Sequence, residues 1–240
     1  MKIGILQADS VLEHLQPKHG NYPKMISDVL SRAASDLGAD FEFTNFDVEH
    51  GTYPSAISEC DGYVISGSKK SAYDDEAWIK TLVGYIRTLH DKKIPLIGIC
   101  FGHQLIAEAL GGKTVGAEAG WGVGIHDSDI VDRRWFMDAE PDQYTLIVSH
   151  KDQVVSLPDG AQLLASSNFC PNSMYCIGEH IFTMQGHPEF DRDYSRALMN
   201  MREEVLGPET YTQGVASLGK PLMRDAVSRW IIRFLQGNST

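Results

Sequence analysis

The stretch 94–112, IPLIGICFGHQLIAEALGG, is the part of the sequence that is most informative about the fold of this chain. An apolar strand pattern ends at Ile99, and a helical pattern begins near Gly102. Cys100 lies on the corner between them, with Gly98 and Gly102 placed where Cβ atoms would clash in a tight turn. Gly-x-Cys-x-Gly has the form of a nucleophile elbow, which lifts a side chain above the carboxyl edge of a sheet. Taken alone, the pattern fits a small buried cysteine in a strand-to-helix turn equally well.

The predicted corner would favour a reactive thiol. It places Cys100 at the amino end of a helix, where unpaired backbone N–H groups and the helix dipole favour the thiolate. The N–H of Phe101 would then point at an oxyanion next to the sulfur. The choice between core filler and nucleophile therefore depends on what the rest of the chain brings to this corner.

The chain before this corner alternates between strand and helix patterns. Short apolar or alternating runs predict strands, and apolar side chains at helical spacing predict helices. The predicted strands are 2–6, 41–46, 62–66 and 96–99, and the predicted helices are 21–37 and 76–90. This order is typical of a parallel sheet with helices on both faces.

The second half of the chain has a different pattern of predicted elements. Short strand patterns separated in places by turn residues predict hairpins, and helices return near the end. The strand candidates are 122–131, 144–150, 153–157, 162–167, 174–178 and 180–185, and the helices are 191–206 and 221–236. We therefore predict one α/β domain over 1–240, with a mostly parallel core and an antiparallel addition in its second half.

Composition and charge exclude several classes of partner. The chain has 32 acidic and 21 basic residues, a net charge of -11, which argues against nucleic acid or an anionic membrane as the main partner. The apolar run at the amino terminus is too short for a signal peptide, and no run reaches membrane-spanning length. We expect a cytoplasmic protein with reduced thiols, in which Cys170 and Cys176 are structural.

A second motif, TMQGHPEF at 183–190, follows the end of another predicted strand. A cysteine nucleophile needs a base, and the base needs an orienting group. Pro188 favours an extended backbone at His187, and Glu189 is close enough to accept a hydrogen bond from the far ring nitrogen. A lone His-Pro-Glu run is typical of an ordinary loop. Two strand-end motifs that supply Cys, His and Glu favour a catalytic site.

These motifs resemble those of the class I, or triad, glutamine amidotransferase family. The matching segments are GICFGHQ (98–104), QGHPEF (185–190), VISGS (64–68) and SHKDQV (149–154). The order Cys, His, Glu also fits that family rather than the α/β-hydrolases, in which an acid precedes the His. Free-standing members, such as γ-glutamyl peptidases and GMP-synthetase-type glutaminases, are the most similar. The resemblance implies a flavodoxin-like fold.

The resemblance also implies a role for each matching residue. Cys100 would attack the γ-carbonyl carbon of glutamine or of another γ-glutamyl amide and form a thioester. His187 would take the thiol proton and deliver it to the leaving amine, and Glu189 would orient His187. The N–H groups of Gly67 and Phe101 would hold the oxyanion.

The resemblance also implies residues that bind the substrate, and it implies no cofactor. Gln104 and the backbone around Ser149 and His150 would hold the amino-acid end of a small γ-glutamyl substrate. We expect no metal, because the histidines 103, 126, 150 and 180 lack metal-like spacing. Lys69 stands where some family members have a second glycine. It is expected to be solvated, with a carboxylate contact as the alternative.

Three functions remain open at this point. The first is a hydrolase of γ-glutamyl amides or peptides that needs no partner, which we favour for its resemblance to free-standing members and its length. The second is a glutaminase subunit that delivers ammonia to a separate synthetase. The third, from another class, is a redox sensor or chaperone related to DJ-1. The His187 and Glu189 pair argues against that third function.

Overall fold

The first half of the chain forms four strands and four helices in this computed structural model, which describes residues 1–237. Residues 238–240, the end of the predicted 1–240 domain, lie outside the described residues. The strands are β1 (Lys2–Gln7), β2 (Glu42–Asp47), β3 (Gly62–Ile65) and β4 (Leu96–Ile99). The helices are α1 (Gln16–His19), α2 (Tyr22–Asp36), α3 (Ala77–Asp91) and α4 (Phe101–Ala109).

The second half contributes the remaining elements. Its strands are β5 (Lys113–Gly116), β6 (Gly122–Ile130), β7 (Gln143–His150), β8 (Asp152–Ser156), β9 (Ala161–Ser166), β10 (Met174–Ile177) and β11 (Ile181–Met184). Its helices are α5 (Arg192–Met201), α6 (Glu203–Ser217) and α7 (Arg224–Gln236).

One nine-stranded sheet orders the strands as β2-β1-β3-β4-β11-β10-β9-β6-β7. The strands from β2 to β11 in this order pair in parallel, and the pairs from β11 to β7 are antiparallel. The predicted architecture, a mostly parallel core with an antiparallel addition, is confirmed. The strand β11 joins the two parts of the sheet, because it pairs antiparallel with β10 on one side and parallel with β4 on the other.

Alternate residues of the central strands face opposite sides of the sheet. Val64 packs in one core cluster with α2 and α7, and Tyr63 and Ile65 pack in another with α3 and α4. Helices therefore cover both faces, as the sequence predicts. The register of β4 and β11 pairs Ile99 with Met184, so Cys100 and the chain leading to His187 emerge side by side.

The structure differs from the sequence predictions in two places. The strand β8 pairs with β5, which the sequence analysis missed, in a separate two-stranded sheet rather than in a hairpin with the strand that follows it. The helix predicted over 191–206 is wrong in extent, because α5 ends at Met201 and α6 continues from Glu203 to Ser217. Only Leu206 and Gly214 of α6 are buried, so its sequence has no apolar stripe to reveal it.

Within residues 1–237, none of the helices has the length and apolar character that crossing a membrane requires.

Candidate active site

Cys100 occupies a strained corner between β4 and α4. Its φ of 51° and ψ of -98° lie in a region that residues other than glycine rarely adopt. A Cβ on Gly98 would lie 2.8 Å from the carbonyl oxygen of Gly102, and a Cβ on Gly102 would lie 2.7 Å from the carbonyl oxygen of Ile65. The steric reason inferred from the sequence for both glycines is thus confirmed. The corner places the Cys100 side chain at the amino terminus of α4.

His187 and Glu189 form a buried pair on the segment after β11. His187 Nδ1 lies 2.7 Å from Glu189 Oε1, and both residues are only 3% exposed. The backbone N–H of His187 donates to the carbonyl of Ile147 at 2.8 Å, which ties this segment to β7. Because Glu189 occupies Nδ1, the ring nitrogen left for the Cys100 thiol is Nε2.

The surroundings of His187 favour its protonated form. Burial alone would lower the pKa of the imidazole, but the charges and hydrogen bonds of Glu189 and Cys100 together raise it to about 10. The pair can therefore hold a proton on His187 at neutral pH. This is the state that a Cys–His pair needs when the sulfur is a thiolate.

Phe190 supports the imidazole of His187 and was missed by the sequence analysis. The two rings stack with centroids 3.9 Å apart and an interplanar angle of 9°. On its other side Phe190 stacks on Tyr22 of α2 at 6.1 Å. An aromatic residue directly after His-Pro-Glu was the available signal. The stack holds the plane of the imidazole and limits its rotation away from Cys100.

Gly67 lies against both members of the Cys–His pair. A Cβ at Gly67 would be 2.9 Å from His187 Cε1 and 3.9 Å from Cys100 Cβ, so the site has no room for a side chain there. Within residues 1–237, the N–H groups of Gly67 and Phe101 donate to no backbone carbonyl. The structure thus brings both predicted oxyanion residues to the sulfur with their N–H groups uncommitted to the backbone.

A pocket of about 180 Å³ opens over the sulfur, and the predicted substrate residues Gln104, Ser149 and His150 line it with Cys100. A larger groove of about 930 Å³ lies beside it, between β6 and α6, and shares Trp121 as a wall. The smaller pocket is the candidate active site, because Cys100 lines that pocket and does not line the groove.

The predicted substrate residues have different hydrogen-bond resources. The Gln104 amide nitrogen donates to the carbonyl of Asp152 at 2.6 Å and to Gln185 Oε1 at 3.0 Å, which leaves its own carbonyl for a ligand. The Ser149 hydroxyl accepts from Arg202. Burial lowers the pKa of His150 to about 3, and neither of its ring nitrogens has a partner among residues 1–237. His150 is therefore neutral.

Four cations line the pocket: Lys69, Lys70, Lys151 and Arg202. Lys69 pairs with the buried Asp9 at 2.7 Å, and Lys70 pairs with Glu76. Lys69 therefore does contact a carboxylate, but the carboxylate belongs to this chain. Lys151 and Arg202 form no salt bridge within the described part of the chain. These two cations are thus available to an anionic ligand.

A metal centre has no candidate ligands in the part of the chain that the structure describes, since no three His, Cys, Asp or Glu side chains there are placed to share an ion. All four cysteines are free thiols.

Comparisons with known proteins point to one family. Residues 21–200 match the family described as glutamine amidotransferase class-I. Gamma-glutamyl peptidase 3 of Arabidopsis thaliana is 37% identical over 176 residues, 71% of this chain and 70% of that protein. The glutamine-hydrolyzing GMP synthase of Streptococcus uberis is 37% identical over 132 residues, 53% of this chain but 24% of the synthase.

Solved structures show the same fold. A glutamine amidotransferase of Thermotoga maritima is 18% identical, with a TM-score of 0.73 over 98% of this chain and 95% of that one. Another from Methylobacillus flagellatus is 23% identical, with a TM-score of 0.71 over 98% and 92% of the two chains. At these identities the likeness establishes the fold alone.

Proposed function

The chain belongs to the class I glutamine amidotransferase family, and from that premise we propose that it hydrolyses γ-glutamyl amides through a thioester on Cys100. The observation that carries the proposal is the buried His187–Glu189 pair beside the strained Cys100 corner, with His187 Nδ1 and Glu189 Oε1 2.7 Å apart. These side chains supply a nucleophile, a base and an orienting group within one site.

The first half of the reaction forms the thioester. The Cys100 thiol gives its proton to His187 Nε2, and the thiolate attacks the γ-carbonyl carbon. The N–H groups of Gly67 and Phe101 stabilise the oxyanion that forms on the carbonyl oxygen. When the tetrahedral intermediate collapses, the C–N bond breaks and the amine leaves with the proton held by His187.

The second half returns the enzyme to its starting state. A water gives a proton to His187 as its oxygen attacks the thioester carbon, and the same two N–H groups stabilise the oxyanion. Collapse breaks the C–S bond and releases glutamate, and the proton on His187 returns to the Cys100 sulfur. Glu189 stabilises the imidazolium in both halves. The cycle consumes one water and needs no cofactor.

The pocket suits the amino-acid end of the substrate. The free carbonyl of Gln104 would accept from the α-ammonium group, and the segment of Ser149 and His150 would position the α-carbon. Lys151 and Arg202 would attract carboxylates of the substrate. A γ-glutamyl peptide carries one more carboxylate than glutamine, so two cations without a salt-bridge partner favour a peptide.

The two enzymatic functions, a stand-alone γ-glutamyl hydrolase and a glutaminase for a synthetase, differ in the group that leaves the γ-carbonyl carbon. We propose that the chain acts alone on γ-glutamyl peptides, because the match to a γ-glutamyl peptidase covers 70% of that protein, whereas the match to GMP synthase covers 24% of the synthase. The match to GMP synthase favours the alternative of a glutaminase that serves a separate synthetase. The proposed chemistry needs a reduced thiol at Cys100, which the cytoplasm maintains.

The test is release of glutamate by the purified chain from glutamine, from γ-glutamyl dipeptides and from the isomeric α-glutamyl dipeptides as the matched control. We expect hydrolysis of the γ-linked dipeptides without any added protein, and none of the α-linked ones. Activity confined to glutamine, and only after a synthetase is added, would refute the preference for a stand-alone peptidase. No glutamate release from any γ-linked substrate would refute hydrolysis itself.

A further inference from the structure

Gln185 lies at the sulfur of the nucleophile. It follows the last residue of β11 and precedes His187 by two residues. Its backbone N–H donates to the carbonyl of Ser173 at 2.9 Å, and the residue is 1% exposed. Its side-chain Nε2 lies 3.5 Å from Cys100 Sγ. A buried amide in this position must find partners for its polar atoms inside the site.

The orientation of the Gln185 amide follows from its neighbours. The carbonyl of Asp152 can only accept, so the Gln104 side chain must present its NH₂ group there, at 2.6 Å. The same NH₂ group lies 3.0 Å from the Gln185 side chain, which must therefore present its oxygen to Gln104. The NH₂ group of Gln185 is left facing the sulfur. An amide assignment that is ambiguous in isolation is thus fixed by one backbone carbonyl.

We propose that Gln185 is a catalytic residue whose amide N–H stabilises the Cys100 thiolate, with Gln104 as the positioning residue that orients it. The inference rests on the proposed function, in which Cys100 is the nucleophile. Each turnover creates a thiolate twice, once before attack and once when the C–S bond breaks. A neutral amide donates to the sulfur at both points, whereas His187 changes its protonation state between them.

The same chain of amides links substrate binding to the nucleophile. Gln104 lines the pocket with its side-chain carbonyl uncommitted, while its NH₂ group contacts Gln185. A substrate bound at the Gln104 carbonyl therefore polarises the hydrogen bonds that lead to the sulfur. The Gln104 side chain thus has two functions, one toward the substrate and one toward Cys100.

The test is the rate of alkylation of Cys100 by iodoacetamide as a function of pH, with the labelled cysteine located by mass spectrometry. This assay contains no substrate, so it reads the thiolate alone. In Gln185→Met, which keeps the size of the side chain but removes the donor, we expect an about tenfold slower rate at pH values below the midpoint of the wild-type profile. We expect the midpoint of the profile to rise by about one pH unit. Gln185→Glu, which is isosteric and faces the sulfur with carboxylate oxygens, should slow the rate further.

Two further variants complete the test. Gln153→Met changes another buried glutamine, on β8, that does not contact Cys100, and should leave the profile unchanged. Gln104→Met should shift the profile in the same direction as Gln185→Met, and the double variant should shift it no further than Gln185→Met alone. An additive double variant would overturn the positioning role of Gln104.

A wild-type alkylation profile in both Gln185 variants would overturn the inference and leave the proposed hydrolysis standing. Conversely, a preparation without glutamate release would refute the proposed function, while the alkylation profile would still report on the hydrogen bond to the sulfur.

Discussion

Glu189 favours the protonated form of His187, because burial of the imidazole opposes protonation and Glu189 and Cys100 together outweigh that effect. The raised pKa, about 10, keeps a proton on His187 across the neutral range, ready for the leaving amine. The protonated imidazole of His187 thus depends in part on one carboxylate oxygen of Glu189, 2.7 Å away in a buried site.

The variant Glu189→Gln should lower the pKa of His187, since the neutral amide leaves burial as the dominant influence. The alkaline limb of kcat/KM reports loss of the His187 proton, so it should move to lower pH, and kcat should fall on the order of 10²- to 10⁴-fold. The measurement is a pH profile on a γ-glutamyl dipeptide. An alkaline limb that stays where it is in the wild type would contradict the role given to Glu189.

At the scale of single residues, the motifs in the sequence located the Cys, His and Glu that the structure brings together. They did not reveal Gln185 or Phe190 as neighbours of Cys100 and His187. The contact of Gln185 with Cys100 depends on the pairing of β4 with β11, which residues 100–180 separate in the chain, whereas the stack of Phe190 on His187 is local. Nor did the motifs reveal that the Gln104 NH₂ group is occupied, which leaves its side-chain oxygen for the proposed substrate contact.

The strand β4 and the helix α4 meet at a corner that has no room for further side-chain atoms. In α4 and β4 the contacts of Gly98 and Gly102 exclude a Cβ, so the elbow depends on glycine for close approach rather than for a positive φ. The strain at Cys100 is held by this packing and by the hydrogen bond of its N–H to the carbonyl of Met184 at 2.9 Å.

The variant Gly98→Ala should destabilise the chain by about 1–3 kcal/mol, because its Cβ would overlap the backbone of Gly102. The matched control is Gly84→Ala on α3, where a Cβ meets nothing within 4 Å. This control should stabilise the chain by about 0.5–1 kcal/mol through helix propensity. Urea unfolding measures both. A Gly98→Ala chain as stable as the wild type would contradict the packed corner.

Elements with a strong apolar pattern were predicted from the sequence, and those without one were not. The helix α6 escaped prediction because only two of its residues are buried and because Gly207, with a φ of 74°, interrupts its helical geometry before Pro208. The strand β5 escaped because its partner β8 is distant in the chain: Thr114 pairs with Val154, 40 residues further along. Local patterns carry no information about such a distant partner.

Charge is organised over the whole molecule. A chain with a net charge of -11 places four cations around the pocket of its nucleophile, two of them without a carboxylate partner in residues 1–237. The acidic surface would repel an anionic substrate at long range, and the local cations would attract it at short range. Salt screens the exposed part of this attraction.

For a γ-glutamyl peptide with a free carboxyl terminus, KM should therefore rise with salt concentration. In Lys151→Gln the KM should be higher at low salt, by about two- to fivefold for a surface charge interaction of up to about 1 kcal/mol, and the dependence on salt should be weaker. Lys80→Gln, an exposed lysine on α3, is the control and should behave like the wild type. Equal salt dependence in wild type and Lys151→Gln would contradict the proposed contact with the substrate.

The proposed mechanism requires that the γ-glutamyl group be bound covalently to the Cys100 sulfur. The rate of glutamate release by Cys100→Ala is the most direct test of this requirement. The variant removes the sulfur from a buried corner with little change in volume, so circular dichroism and urea unfolding should match the wild type. We predict a loss of turnover on the order of 10⁴-fold or more on a γ-glutamyl dipeptide. Folded Cys100→Ala that hydrolyses the dipeptide within about tenfold of the wild-type rate would contradict the account.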